Sequence, residues 1–265
     1  MFLYNQQNML DPNKDGYVKA ETHKAITTIE FYHPQSNSLP GKILEQLASA
    51  IHKAGNNPES NVIILRSNGV KVFCAGASFE ELAAIKNKEE GKKFFIGFAN
   101  VINEMRKCPK LIIGRIQGKC VGGGVGLAAA VDYAIAVEGA EIKLSELSIG
   151  IGPFVVGPAI ERKLGLSSFS QLAIDASIWR SADWARRKGL YAELHPTIED
   201  MDESVNRMAA TLAHSNPSAT HELKKIFWAG TEHWNQLLPE RAASSGELIT
   251  SEFSQKAIAN FRKTV

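Results

Sequence analysis

The sequence predicts an α/β fold, and three observations carry that prediction. Short apolar segments alternate with amphipathic helical patterns over the first two thirds of the chain. Between two of those segments lies a run of small residues, KCVGGGVGLAAA, residues 119–130. From about Ser167 the strand signals largely stop and helical periodicity takes over.

In chain order, residues 22–31 are rich in Thr and Ile and predict a strand. Residues 40–55 place Ile43, Leu44, Leu47 and Ile51 on one helical face, with Gly55 as a stop. Residues 61–67 form a strand with an apolar centre. Residues 89–108 form a helix with Phe94, Phe95, Phe98, Val101, Ile102 and Met105 on one face, ended by Pro109. Strands follow at 111–116 and 132–137. Ser181 caps a helix to Lys188 that Gly189 closes, and further helices cover 202–215, 217–229 and 247–262.

At 265 residues the chain can bury a large core. Its 44% hydrophobic and 22% charged content is ordinary for a globular protein. A net charge of +2 is too small to point to nucleic acid or a membrane as partner. Cys74, Cys108 and Cys120 are odd in number and lack C-x-x-C spacing, so they read as reduced, buried cysteines of a cytoplasmic protein. MFLYNQQNML has neither the basic start nor the apolar run of a signal peptide, and no apolar run approaches the ~20 residues that span a bilayer.

Two familiar motifs fit only in part. Asp11, Asn13, Asp15 and Gly16 open like an EF-hand loop, but the closing position is Thr22, so a polar turn is the better reading. Gly124, Gly126 and Ala129 spell a dinucleotide-binding G-x-G-x-x-A after the 111–116 strand, with Glu146 spaced for a ribose contact. The next strand starts at residue 132, which leaves only two turns of helix where a parallel crossover needs about a dozen residues or more.

The glycine run serves an oxyanion better. Backbone N–H groups at a helix start have no intrahelical partner and attract negative charge. A second such loop lies upstream in VFCAGASFEE, residues 72–81, where Ala77 would offer its N–H. Downstream, KLSELSIGIGP places Glu146 among Leu144, Leu147 and Ile149, neighbours that could desolvate the carboxylate and raise its pKa.

These pieces, in this order, resemble the crotonase family, the enoyl-CoA hydratase/isomerase superfamily, over nearly the whole chain. ITTIEFYHPQSNSL is similar to the family's first strand and Asn-containing turn, FCAGASFEEL to its AGAD-type loop, and LSELSIGIGP to its carboxylate segment. GLYAEL and NPSATHELKKI match later family motifs. The resemblance implies a spiral core of repeated β-β-α turns with acyl-CoA site at residues 1–195, and a C-terminal helical oligomerisation region at 196–265. It implies a trimer, often paired into a hexamer. No cofactor is expected beyond coenzyme A as part of an acyl-CoA thioester substrate, and no metal. Glu146, with the N–H groups of Ala77 and Gly123, is implied as catalytic. Cys74, Ala75, Gly76, Ala77, Gly122, Gly123, Phe154 and Phe261 are implied to contact substrate or CoA.

The chain departs from the family pattern at one carboxylate. Family hydratases use two glutamates, and the first falls here on Gly126. The AGAD aspartate is Ser78, and a glycine-rich loop becomes Pro153-Phe154-Val155-Val156-Gly157. One carboxylate suffices to move a proton between two carbons, which favours a Δ3,Δ2-enoyl-CoA isomerase-like activity. The alternatives are a hydratase of 2-enoyl-CoA or of a branched enoyl-CoA such as methylglutaconyl-CoA, and a non-catalytic acyl-CoA-binding homologue. The sequence leaves open where Glu80, Glu81 and Glu161 fall.

Overall fold

The computed structural model describes residues 12–264. A single helical turn, α1 (Pro12–Asp15), leads into β1 (Tyr17–His23) and β2 (Ile26–Tyr32). Then follow α2 (Gly41–Asn56), β3 (Val62–Ser67), β4 (Val72–Cys74), α3 (Phe79–Ala84), α4 (Lys88–Lys107), β5 (Leu111–Ile116), β6 (Lys119–Val121) and α5 (Gly123–Ala130). Next come β7 (Tyr133–Val137), β8 (Ile142–Lys143), a 3-10 turn (Glu146–Ile149), α6 (Gly157–Ile174), α7 (Ala182–Arg187) and β9 (Glu193–His195). Four helices close the described chain: α8 (Ile198–Ala213), α9 (Pro217–Phe227), α10 (Trp234–Leu248) and α11 (Glu252–Thr264).

Two sheets result. The larger has the order β1-β2-β3-β5-β7-β9, parallel except for the β1–β2 hairpin. The smaller, β4-β6-β8, is parallel throughout. The pairs β3/β4, β5/β6 and β7/β8 each give one strand to each sheet, so successive passes of the chain stack as turns of a spiral. Val62, Ile63 and Leu65 are all fully buried, as strands covered on both faces require. α8 lies across the larger sheet with Met201, Val205 and Ala209 buried. α2 buries Ile43, Leu44, Leu47 and Ile51, worth about 2 kcal/mol each in area removed from water.

Four expectations need correction. Residues 22–31 are not one strand: Lys24 (φ 49°) and Ala25 (φ 62°) turn the chain between β1 and β2. Left-handed pairs of that kind normally announce themselves as Asn-Gly, and Lys-Ala gives no such signal. The helix expected from Asp202 begins at Ile198, because Thr197 caps it by accepting the Asp200 N–H at 3.1 Å. The last helix expected, 247–262, is the end of α10, a break at residues 249–251, and α11. The helix expected over 217–229 ends at Phe227, and α10 keeps Pro239 inside it with support from tertiary contacts: Arg106 on α4 donates to Asn235 Oδ1 at 2.8 Å. Of the Asp11–Gly16 motif, Asp11 lies outside the described residues.

α9 is fixed by a buried charge cluster. Asp132 accepts from Lys224 Nζ at 2.5 Å, Trp228 Nε1 at 2.9 Å and the Ile112 N–H at 2.7 Å. The Asp132 and Lys224 side chains are both nearly inaccessible. Removing one partner of such a pair strands the other charge. Lys224→Met is expected to lower unfolding free energy by about 3 kcal/mol, read as a fall in the urea midpoint with an unchanged slope.

Candidate active site

The site begins where the two sheets' loops meet. After β4 the chain runs through Ala75-Gly76-Ala77, and Ser78 caps α3 by accepting the Glu81 N–H at 3.4 Å. The Asn-containing turn holds this loop from behind. Ser36 O accepts the Ala75 N–H at 3.2 Å, and Leu39 donates to Gly76 O at 2.8 Å. Asn37, itself left-handed (φ 55°), donates from Nδ2 to Asn68 O at 2.8 Å and Val72 O at 2.9 Å.

The second loop leaves β6 at Gly122, whose φ of 52° and ψ of −116° a side chain would oppose, and α5 starts at Gly123. The loops touch at Gly76 (φ 85°): a Cβ there would lie 2.7 Å from Val121 O and 3.2 Å from Gly123 N. That contact fixes Ala77 and Gly123 side by side. Among the described residues, neither donates its N–H to a backbone or side-chain acceptor. Two free, convergent N–H groups at a cavity wall are the makings of an oxyanion hole.

Glu146 opens the 3-10 turn after β8. The turn closes at Gly150 (φ 79°), which donates to Glu146 O and Leu147 O. The carboxylate packs against the second loop, so that a Cβ on Gly122 would lie 2.9 Å from Glu146 Oε1. Oε2 is shut off from solvent and has no hydrogen-bond partner. Burial pushes the carboxyl up to about 7, against a smaller pull downward from the N–H groups of Glu146 and Ser145. Leu144 and Ile149 help to dry it, as expected, whereas Leu147 points outward, half exposed.

One narrow cavity, open at its mouth, joins these parts. Ala75, Gly76, Ala77, Gly122, Gly123, Glu146 and Phe154 all line it. Cys74 does not; it is buried beneath the loop, its Sγ accepting the Gly76 N–H at 3.4 Å and its thiol pushed up to about 12 by burial. The Phe261 side chain lies outside the described residues. Sequence reasoning missed Leu82 and Ser245, and read Phe95 and Phe98 as core only; all four line the cavity. Phe95 and Phe98 are core residues as well, so periodicity alone held no signal for their second role.

Among the described residues the walls carry no second carboxylate. Glu81 is engaged elsewhere, its Oε2 accepting the Gly41 N–H at 2.8 Å. Glu80 lines an adjoining groove with Lys143 and Trp179, and Glu161 is exposed. The place opposite Gly126 is filled: a Cβ there would lie 2.5 Å from Val156 Cγ1 and 2.6 Å from its Cβ.

Comparison with known proteins agrees with this geometry. The family model for enoyl-CoA hydratase/isomerase matches residues 21–263. A Bacillus subtilis protein named as a probable enoyl-CoA hydratase is 26% identical over 89% of this chain and 92% of its own. The mouse mitochondrial methylglutaconyl-CoA hydratase is 32% identical over 74% of this chain, which spans 63% of that relative's length. A crystal structure of enoyl-CoA hydratase from Bacillus halodurans superposes with a TM-score of 0.84 at 22% identity, over 92% of this chain and 99% of that one. At that identity the likeness speaks for the fold. With the family model spanning both sheets, the two loops and the Glu146 turn, the chain belongs to the enoyl-CoA hydratase/isomerase family of enzymes.

Proposed function

We propose that this enzyme isomerises an enoyl-CoA by moving one proton, with Glu146 as the only acid–base group. The observation that carries this reading is a lone, dry carboxylate beside two free N–H groups in a cavity without a second acid. The thioester oxygen sits between the N–H groups of Ala77 and Gly123. Glu146 takes a proton from C2 of a 3-enoyl thioester, and the electron pair spreads into a dienolate whose oxyanion rests in the hole. The same proton returns to C4, leaving the double bond between C2 and C3. A pKa of about 7 suits a group that must both accept and release that proton.

The adjoining groove supports a CoA ester. It shares Ala75, Ala77, Phe79, Ser145 and Ile149 with the cavity and adds Lys143 and Trp179. Lys119 Nζ stands 4.6 Å and Lys143 Nζ 5.8 Å from the Trp179 ring centre, a cationic and aromatic surface fit for a phosphorylated nucleotide. Three free, buried cysteines support a reducing, cytoplasmic setting. Among the described residues no helix is long and apolar enough to cross a membrane.

The relatives' names favour a second reading, hydration of a 2-enoyl-CoA. A methylglutaconyl substrate carries a free carboxylate on its acyl chain, and among the described residues no basic side chain lines the cavity to receive one. Side-by-side assays of 3-enoyl-CoA and 2-enoyl-CoA panels decide between the two; faster hydration than isomerisation on matched chains sinks the isomerase reading.

Glu146→Gln is expected to cut turnover and α-proton exchange by 10²–10⁴-fold or more, the usual range for an acid–base group. Wild-type kcat/KM should rise through about pH 7 as the carboxyl ionises, then level off. The raised pKa means the folded state holds this proton more tightly than the unfolded one, so the stability it contributes at low pH is lost as pH rises through 7. The Gln variant should therefore be more stable than wild type at pH 9, by roughly 3 kcal/mol, and alike at pH 4. A variant that keeps a tenth of wild-type turnover rules Glu146 out.

Gly126→Glu alone drives its side chain into Val156 and is expected to lower the melting temperature without adding hydration. Gly126→Glu with Val156→Gly makes room, and should raise the ratio of hydration to isomerisation. An unchanged ratio in the folded double variant means that the second carboxylate is not what separates the two reactions.

A homotrimer, or a hexamer of paired trimers, belongs to the same proposal. Ile258, expected to seek a partner's surface, is 1% exposed within its own chain, but Ile226 at 67% and Phe253 at 66% are open. Light scattering should give at least three times the chain mass, and a monomer at working concentration refutes it.

A further inference from the structure

The cavity is apolar except at two places. At one end are Ser145 and Glu146; the only other polar side chain on its walls is Ser245, on α10. Ser245 is 1% exposed, and its hydroxyl makes no hydrogen bond with a described residue. That is unusual for a serine inside a helix, where the hydroxyl commonly bonds back to the carbonyl four residues earlier. Its neighbour Ser244 does so, donating to Glu240 O at 3.4 Å. A hydroxyl that faces a cavity without a protein partner is open to a ligand's hydrogen bond.

The place of Ser245 follows from how α10 crosses α4. The crossing is closest at Gly91 and Gly246, where a Cβ on Gly91 would lie 2.7 Å from Gly246 Cα. Seven residues further along α4, Phe98 reaches the oxyanion end, where a Cβ on Gly123 would lie 2.3 Å from Phe98 Cε1. At 1.5 Å of rise per residue, the two points are about 10 Å apart. Ser245, next to Gly246, thus enters the cavity from the α4–α10 crossing rather than from the oxyanion loops. Phe95 and Leu82 join Phe98 among the apolar walls.

We propose that Ser245 selects acyl groups bearing a neutral oxygen, a hydroxyl or keto group, several carbons beyond the thioester. A plain hydrocarbon tail would bury the hydroxyl unpaired. A carboxylate would enter a cavity on whose walls no described residue is a Lys, Arg or His. A hydroxyl or ketone satisfies Ser245 and brings no charge. This rests on the acyl-CoA reading above and names its substrate class.

The test uses a series of 3-enoyl-CoAs of rising chain length, each with and without a hydroxyl or keto group at the distal end. The readout is the rate of α-proton exchange in deuterated water. At the matching chain length wild type is expected to favour the oxygenated member by about tenfold or more, since a polar group left unpaired discriminates strongly. In Ser245→Ala that preference ratio should fall toward one, with a thermal melt confirming the fold. A wild-type ratio of one or less at every length overturns the assignment without any variant, as does a ratio that Ser245→Ala leaves unchanged. Exchange with no member of the series overturns the isomerase reading as well, whereas brisk exchange without preference overturns only the role of Ser245.

Discussion

The carboxyl oxygen Glu146 Oε2, buried and unpaired, is the constraint to which the rest of the structure answers. A single basic side chain or a well-aimed N–H beside it would lower its pKa and spoil it for proton transfer at neutral pH. The surroundings are accordingly Ile149, Ile151, Phe154 and Val156, supplied by the 3-10 turn and the segment that follows it. The unfavourable burial is carried by a core that owes nothing to the site. Two sheets with strands buried on both faces, and helices α2, α4 and α8 laid over them, give the fold stability to hold one uncomfortable group.

The same economy shapes α5. All eight of its residues are buried and none is larger than leucine, so the helix can press its first turn against the AGAD-like loop and its second against Val156. A glutamate on that helix would need the volume that Val156 occupies. The missing acid is therefore not an isolated substitution. It is one half of a packing solution in which an aliphatic side chain on the Phe154-containing loop fills the space.

Much of this was legible in the sequence, for local reasons. The β3 and β5 strands appear as continuous apolar runs because they are buried on both faces. α2 and α4 are visible as stripes, and the two loops and Glu146 as motifs in order. What stayed hidden depends on contacts between distant segments. The turn at Lys24 and Ala25 is imposed by strand pairing, α10 survives its proline because α4 anchors it, and Val156 meets Gly126 only in three dimensions. Ser245 is hidden for the same reason, since nothing in ELIT or RAASSG says that α10 borders the acyl cavity.

Gly150 has a consequence for how the enzyme comes into being. Its bare Cα lets α11 lie directly on the Glu146 turn: a Cβ there would fall 2.5 Å from both Phe253 Cδ1 and Ser254 Oγ. α11 also packs on α3, behind the first oxyanion loop. The helix that roofs the catalytic turn is thus encoded roughly a hundred residues after it, a long-range contact of the kind that forms late. The Glu146 turn therefore depends on a helix encoded far along the chain from it, and any change that loosens α11 reaches that turn directly.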